Sequence, residues 1–209
     1  MAMQQVVLAT RNAHKLAELQ RILIDCGVEV ELVPPADDCP DVAETESTFA
    51  GNALLKARAV STHSGLPAIA DDSGLCVDAL NGMPGVLSAR WSGRHGDDVA
   101  NLNLLLGQIA DVPVSRRDAQ FVCAAALVVP DADSGAAIER VVEGVVEGHL
   151  VSAPTGTNGF GYDPVFVPDG HNVTTAQMQP AEKDAISHRG KALRALAPIL
   201  AELLASTHH

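Results

Sequence analysis

Residues 66–74 read LPAIADDSG, an apolar run that meets two adjacent carboxylates, Asp71 and Asp72, before a serine and a glycine. A buried charge without compensation is costly, so a chain places two acids here only where cations or a ligand offset them. Side chains alternate across a strand, so Asp71 follows Ile69 onto one face while Asp72 follows Ala68 and Ala70 onto the other. The two acids are therefore expected to do different work, with one of them facing a site.

The rest of the chain limits what that site handles. At 209 residues it buries a real core as one domain or two closely joined lobes. Hydrophobic residues make up 47% and charged residues 19%, an ordinary globular balance. Fourteen Lys and Arg against 26 Asp and Glu give a formal charge of −12. Such a surface argues against a nucleic-acid polymer or an anionic membrane as partner, because backbone affinity needs an extended basic face. A small phosphorylated ligand held by a few local cations is still compatible. Cys26, Cys39, Cys76 and Cys123 are widely spaced and form no CxxC, so reduced and mostly buried thiols are expected. No apolar run is long enough to span a bilayer, and the start MAMQQVVLAT lacks the features of a signal peptide, so the expected location is cytoplasmic. His208 and His209 read as the possible remnant of a purification tag, leaving residues 1–207 as the domain.

Along the chain, QVVLAT at 5–10 reads as a buried strand running into a polar turn. Leu16, Leu19, Ile22, Leu23 and Cys26 then recur at helical spacing, with Gly27 as the stop. Residues 33–47 form an irregular Pro- and acid-rich connection, and a second helix is expected over 48–62 with Phe49, Ala53, Ala57 and Val60 on one face. Segment 66–80 reads as a strand, a DDSG turn and a short strand LCVDAL, followed by the turn NGMPG. A helix near 98–110, a strand at 119–129, one or two antiparallel strands at 137–151 and a last helix at about 187–205 complete the pattern. In that helix Leu193, Leu196, Leu200 and Leu203 face inward and Pro198 is a candidate kink. Helices mixed with parallel and antiparallel strand patterns predict an α/β or α+β protein on a central mixed sheet.

Four stretches carry candidate chemistry. TRNAHK at 10–15 is a strand-to-helix turn, whose outward N–H groups make an anion site that Lys15 can reach and to which Thr10 and Asn12 can donate; a plain helix cap is the alternative. Around the acidic pair, Glu44 or Glu46 can join Asp72 on a hard cation, with Lys56 as a fixed positive charge; a solvated acidic loop is the alternative. In TGTNGFGYDP at 155–164, glycines flank Phe160, and Phe160 and Tyr162 are two of the chain's few aromatics, which suits a flat nucleobase or simply a glycine-rich hairpin with a core Phe. In EKDAISHRGKAL at 182–193, Ser187 reads as a cap, and His188 and Arg189 stand in the first turn of a helix, where a cation needs a ligand or a carboxylate opposite; Lys183 lies nearby.

Taken in order, LATRNAHKLAEL at 8–19, ETESTFAGNALLKARA at 44–59, AIADDSGLCVDALNGMPGVLSARWSG at 68–93, TGTNGFGYDPVFVP at 155–168 and AEKDAISHRGKAL at 181–193 resemble the Ham1 family of inosine and xanthosine triphosphate pyrophosphatases. The resemblance spans nearly the whole chain. It implies a two-lobed α/β fold around a long central mixed sheet, a homodimer, Mg²⁺ dependence, and cleavage of non-canonical purine nucleoside triphosphates (ITP, dITP, XTP) to monophosphate and pyrophosphate. Carried onto this sequence, it implies that the turn of Thr10, Arg11, Asn12, Ala13, His14 and Lys15 cradles the triphosphate, with Lys56 neutralising it. Glu44 and Asp72 would meet the metal, and Asp72 would also be the base for the attacking water, with Ser73 beside the substrate and Asp71 orienting the network. Phe160, Gly161, Tyr162 and Asp163 would hold the purine, and Lys183, His188 and Arg189 would read its polar edge. Two positions depart from the pattern: Gly51 stands where the family commonly has an acid, and Arg11 where glycine is frequent.

The residue chemistry fits that implication. A carboxylate beside a divalent ion takes a proton from water while the ion and lysines offset charge on the phosphoryl group. The purine 6-carbonyl of inosine and xanthosine accepts hydrogen bonds from His188 or Arg189, whereas adenine presents an amino donor there. Two other readings stay open: a pyrophosphatase for other altered nucleotides, and a non-catalytic nucleotide sensor, the latter favoured by Gly51.

Overall fold

The computed structural model describes residues 3–130 and 136–206, apart from the side chains of His14 and Ser206; His208 and His209 lie outside the described residues. Strand β1 (Gln5–Leu8) leads into helix α1 (Ala13–Asp25), then β2 (Glu31–Val33), α2 (Phe49–Ser64) and β3 (Ala68–Val77). After two short 3-10 turns come α3 (Asp98–Gln108), β4 (Asp118–Val129), β5 (Ile138–Leu150), β6 (Phe166–Pro168), α4 (Pro180–Ile186) and α5 (His188–Ser206). The six strands follow the order β2-β1-β3-β4-β5-β6. β1 pairs in parallel with both β2 and β3, and β5 pairs antiparallel with β6, so the sheet is mixed and the chain is an α/β protein.

The chain divides into two compact units. One holds residues 1–72, 124–144 and 189–209, the other 73–123 and 145–188. The path passes from one unit to the other within β3, between Asp72 and Ser73, and again between His188 and Arg189.

In the first unit, Ala53 and Ala57 of α2 meet Ala70 of β3 and Ala124, Ala126 and Val128 of β4. These small side chains bring the helix close to the strands, so a polar residue on the same face of α2 reaches β3. Gly65 ends α2 in the left-handed region. Thr48 begins it, its hydroxyl accepting from the Gly51 N–H at 3.0 Å. The reciprocal acid of a capping box is missing because its position is Gly51, where an added Cβ would stand 2.7 Å from the Cβ of Glu46. In the second unit, Leu75, Val77, Leu102, Leu105, Ile109, Leu150, Tyr162 and Phe166 are among the residues that form the core.

The expected turn at DDSG is not there. Residues 68–77 form one continuous strand, with Asp71 and Asp72 both buried in it. The carboxylates find cations in place, as described below, so the backbone has no need to turn out to water. Three further expectations change. β2 (Glu31–Val33) forms just before the irregular connection, and β6, which pairs with β5, and α4, which precedes α5, form where no element was read. Cys26 is exposed, because it falls in the turn after α1, whereas Cys39 and Cys123 are buried. At the end of α5, which continues through Pro198, Leu204 is buried where Leu203 was expected, and Leu203 is half-buried.

Thr48→Ala is expected to lower stability by about 1 kcal/mol, with Thr48→Ser restoring most of it. Urea unfolding of the three proteins checks this.

Candidate active site

The first unit gathers seven charged side chains around β3. Asp71 accepts from Lys15 Nζ of α1 at 2.9 Å and from Arg189 of α5, at 3.3 Å from Nε and 3.4 Å from Nη2. The remaining guanidinium nitrogen donates to Glu18 of α1, one turn after Lys15. Arg189 at the start of α5 thus has carboxylates opposite it and is buried with Asp71, and these acids offset the unfavourable placement of a cation at a helix N-terminus.

Asp72 has a different environment. One oxygen accepts from Asn52 Nδ2 at 3.0 Å and the other from Lys56 Nζ at 3.3 Å. The same ammonium donates to Glu44 at 2.9 Å. Asn52, wholly buried, also accepts the Glu46 N–H at 2.9 Å through Oδ1, which fixes the end of the acidic loop against α2. Asn52 and Lys56 stand four residues apart, on one face of the helix.

The carboxyls of the two neighbouring acids are consequently shifted in opposite directions. Burial would lift the Asp71 carboxyl, but Lys15 and Arg189 outweigh it and hold the group far below the usual carboxylate range. For Asp72, burial reinforced by the like charge of Glu44 prevails over Lys56 and the Asn52 bond, and its carboxyl is raised. Lys56 is held charged, because Asp72 and Glu44 overcome its burial.

At the α1 turn, Thr10 Oγ1 accepts the Asn12 N–H at 3.2 Å, so Thr10 supports the turn. Arg11 donates to Asp41 at 2.7 Å and to the Cys39 carbonyl at 3.0 Å, fastening the acidic connection to the turn. Ala13 is the first residue of α1. The side chain of His14 lies outside the described residues.

The second unit holds the other predicted group. Asp163 is buried and accepts from Thr175 Oγ1 at 2.8 Å, from the Phe160 N–H at 2.8 Å, and from Lys183 Nζ. A Cβ at Gly159 would fall on this carboxylate and 2.9 Å from Lys183 Nζ, which explains glycine there. Lys183 Nζ also stands 5.4 Å from the centre of the Phe160 ring. Phe160 is 77% exposed, whereas Tyr162 is in the core with its hydroxyl donating to the Ser88 carbonyl at 2.9 Å. The glycines thus turn the two aromatics apart, leaving the Phe160 ring exposed. Gly161 gives its N–H to Asp98 at 3.0 Å. His188 stacks on Phe121, centroids 5.0 Å apart and planes within 10°. Ser73 Oγ is buried and without a hydrogen-bond partner, an orphan hydroxyl beside Asp72 in the chain.

Asn52 and Glu18 are the site residues that sequence reasoning missed. Both stand one helical turn from a lysine that it did single out, Asn52 before Lys56 and Glu18 after Lys15, and that shared face was the available signal.

The donor set bears on a metal. Among the described residues no group of three or more His, Cys, Asp and Glu side chains converges as a cage. Glu44 and Asp72 do converge on one ammonium, and a pair of carboxylates completed by substrate oxygens is how Mg²⁺ is commonly held.

Comparison with known proteins places the chain in a family. The Ham1 family model matches residues 6–199. A dITP/XTP pyrophosphatase of Streptomyces avermitilis is 58% identical over 205 residues, covering 97% of this chain and 100% of the relative. One from Nocardia farcinica is 58% identical over 209 residues, covering 97% and 98%. Among solved structures, the nucleoside-triphosphatase, dITP/XTP pyrophosphatase, of Mycobacterium abscessus is 56% identical with a TM-score of 0.78, covering 94% of this chain and all of that one. A HAM1 protein of Coxiella burnetii is 43% identical with a TM-score of 0.86, covering 96% and 100%. With the family model spanning almost all of its length and relatives this similar, the chain belongs to the Ham1 family.

Proposed function

We propose that this protein hydrolyses non-canonical purine nucleoside triphosphates, namely ITP, dITP and XTP, to the monophosphate and pyrophosphate with Mg²⁺. The observation that carries the reading is the buried Asp72 carboxylate, held by Asn52 and sharing the Lys56 ammonium with Glu44, on a family member whose relatives are dITP/XTP pyrophosphatases. The site's charges also call for a cation. Lys15, Lys56 and Arg189 face Asp71, Asp72, Glu44 and Glu18, so three positive charges already meet four negative ones and little is left to neutralise a triphosphate. Mg²⁺ held by Glu44 and Asp72 would supply that neutralisation.

Asp72 is the base: its carboxylate takes a proton from the attacking water, the water oxygen bonds to phosphorus at the α–β anhydride, and pyrophosphate leaves. Asn52 keeps the Asp72 carboxylate oriented. Lys56 and Lys15 act on the phosphates, with the turn at Thr10 to Lys15 offering its N–H groups and Ser73 adding its hydroxyl. Asp71 is the fixed counter-charge for Lys15 and Arg189.

In the second unit Phe160 stacks on the purine, the Lys183 protons that Asp163 leaves over donate to the 6-carbonyl, and His188 reads the same polar edge. Arg189, whose donors go to Asp71 and Glu18, works through the charge network. The reading extends to a cytoplasmic homodimer acting on free nucleotides, for which the Ham1 resemblance and the acidic surface are the support.

Pyrophosphate release from ITP, XTP, dITP, GTP and ATP with Mg²⁺ tests this. The first three should be preferred over ATP by about 100-fold or more in kcat/KM, without free phosphate. Asp72→Asn should lower kcat by about 100-fold or more at little cost in fold. Turnover of ATP at the same rate, or an Asp72→Asn protein as active as wild type, would contradict it. Nucleotide binding that saturates without turnover would favour the sensor.

Stability gives an independent check on Asp71. Its folded-state carboxyl lies below the unfolded value of about 4, so its stabilisation is complete above that range and is lost as pH falls toward the folded value. Metal-free wild type should exceed Asp71→Asn in unfolding free energy by a constant margin above about pH 5, and the margin should shrink on acidification below about pH 4.

A further inference from the structure

Phe160 poses a positioning problem. A large ring that is 77% exposed gains little from the core, and the glycines on either side, Gly159 and Gly161, have positive φ values of 74° and 59°. Such a segment wanders unless its backbone is tied. Two of its ties are local: the Phe160 N–H to Asp163 at 2.8 Å, and the Asp163 N–H to the Phe160 carbonyl at 3.2 Å. The Gly161 N–H reaches elsewhere, to Asp98 Oδ2 at 3.0 Å, 63 residues away in sequence.

Asp98 is well placed for this task. It opens α3, which is rooted in the core by Leu102 and Leu105. The cap of that helix is its neighbour Asp97, which accepts the Ala100 N–H at 3.1 Å. The Asp98 carboxylate therefore serves the loop while Asp97 serves the helix. A charged acceptor on a backbone N–H is stronger than a neutral one, and Tyr162, next along the chain, is anchored to the Ser88 carbonyl.

We propose that Asp98 is a positioning residue for base recognition: through the Gly161 N–H it sets the turn that presents the Phe160 ring to the purine. The proposal rests on the assignment of Phe160 as the stacking ring.

The test compares wild type, Asp98→Ala, Asp98→Asn and Phe160→Ala, with steady-state turnover of dITP, inhibition by inorganic pyrophosphate, and amide exchange over residues 157–163. Asp98→Ala should raise KM for dITP about tenfold, with kcat held within about twofold. It should leave pyrophosphate inhibition unchanged and speed exchange in the loop. Asp98→Asn, whose Oδ1 still accepts, should return KM to within about threefold of wild type. Phe160→Ala should raise KM at least as much as Asp98→Ala.

A KM that rises in Phe160→Ala but stays at the wild-type value in Asp98→Ala overturns the role of Asp98 alone. A wild-type KM in Phe160→Ala overturns the stacking assignment, and the proposal with it. Equal losses of kcat and thermal stability in both Asp98 variants would mean that the residue only supports the fold, which also overturns the proposal.

Discussion

The structure turns on two carboxylates in consecutive positions of a buried strand. Asp71 and Asp72 point to opposite faces of β3, and each face must provide its own compensation. On one side α1 and α5 bring Lys15 and Arg189 to Asp71. On the other, α2 brings Asn52 and Lys56 to Asp72. The close alanine packing of α2 and the helical spacing of Asn52 and Lys56 are therefore requirements of one strand's charge. The asymmetry of compensation separates the acids chemically. Two cations hold Asp71 ionised and inert, while one cation shared with Glu44 leaves Asp72 more basic, with a side chain 11% exposed against 4% for Asp71.

A comparable division appears in the second unit. Asp163 spends its oxygens on Thr175, Lys183 and the Phe160 N–H. The loop that exposes Phe160 is thus built around a buried carboxylate. Preorganisation of this kind holds a large exposed ring and one lysine at defined positions, which lowers the ordering cost of any binding there.

Much of this was legible in the sequence. Helical spacing located α1, α2, α3 and α5, and alternation across a strand separated Asp71 from Asp72. The five ordered blocks identified the family, and the comparisons agree. What escaped was mainly what neighbours decide. The DDSG stretch looked like a turn because two acids and a glycine rarely continue a strand, and only the distant Lys15, Arg189 and Lys56 make the strand possible. The partners of Arg189 are over a hundred residues away, so a ligand and a carboxylate were equally consistent with its place at a helix start. Asn52 reads as an unremarkable helical residue until Asp72 and the Glu46 amide are seen on either side of it. Tyr162 and Phe160 looked like one aromatic face, and the conformations of the intervening and flanking glycines send them apart.

The central claim is that unequal compensation shifts the carboxyls of two adjacent acids on one strand in opposite directions. The most direct measurement is a carbon-13 NMR titration of the side-chain carboxyls of Asp71 and Asp72 in the metal-free protein, assigned with Asp71→Asn and Asp72→Asn. The account predicts that Asp72 titrates above the ordinary aspartate range while Asp71 stays ionised well below it. Coincident titrations, or the reverse order, would contradict it.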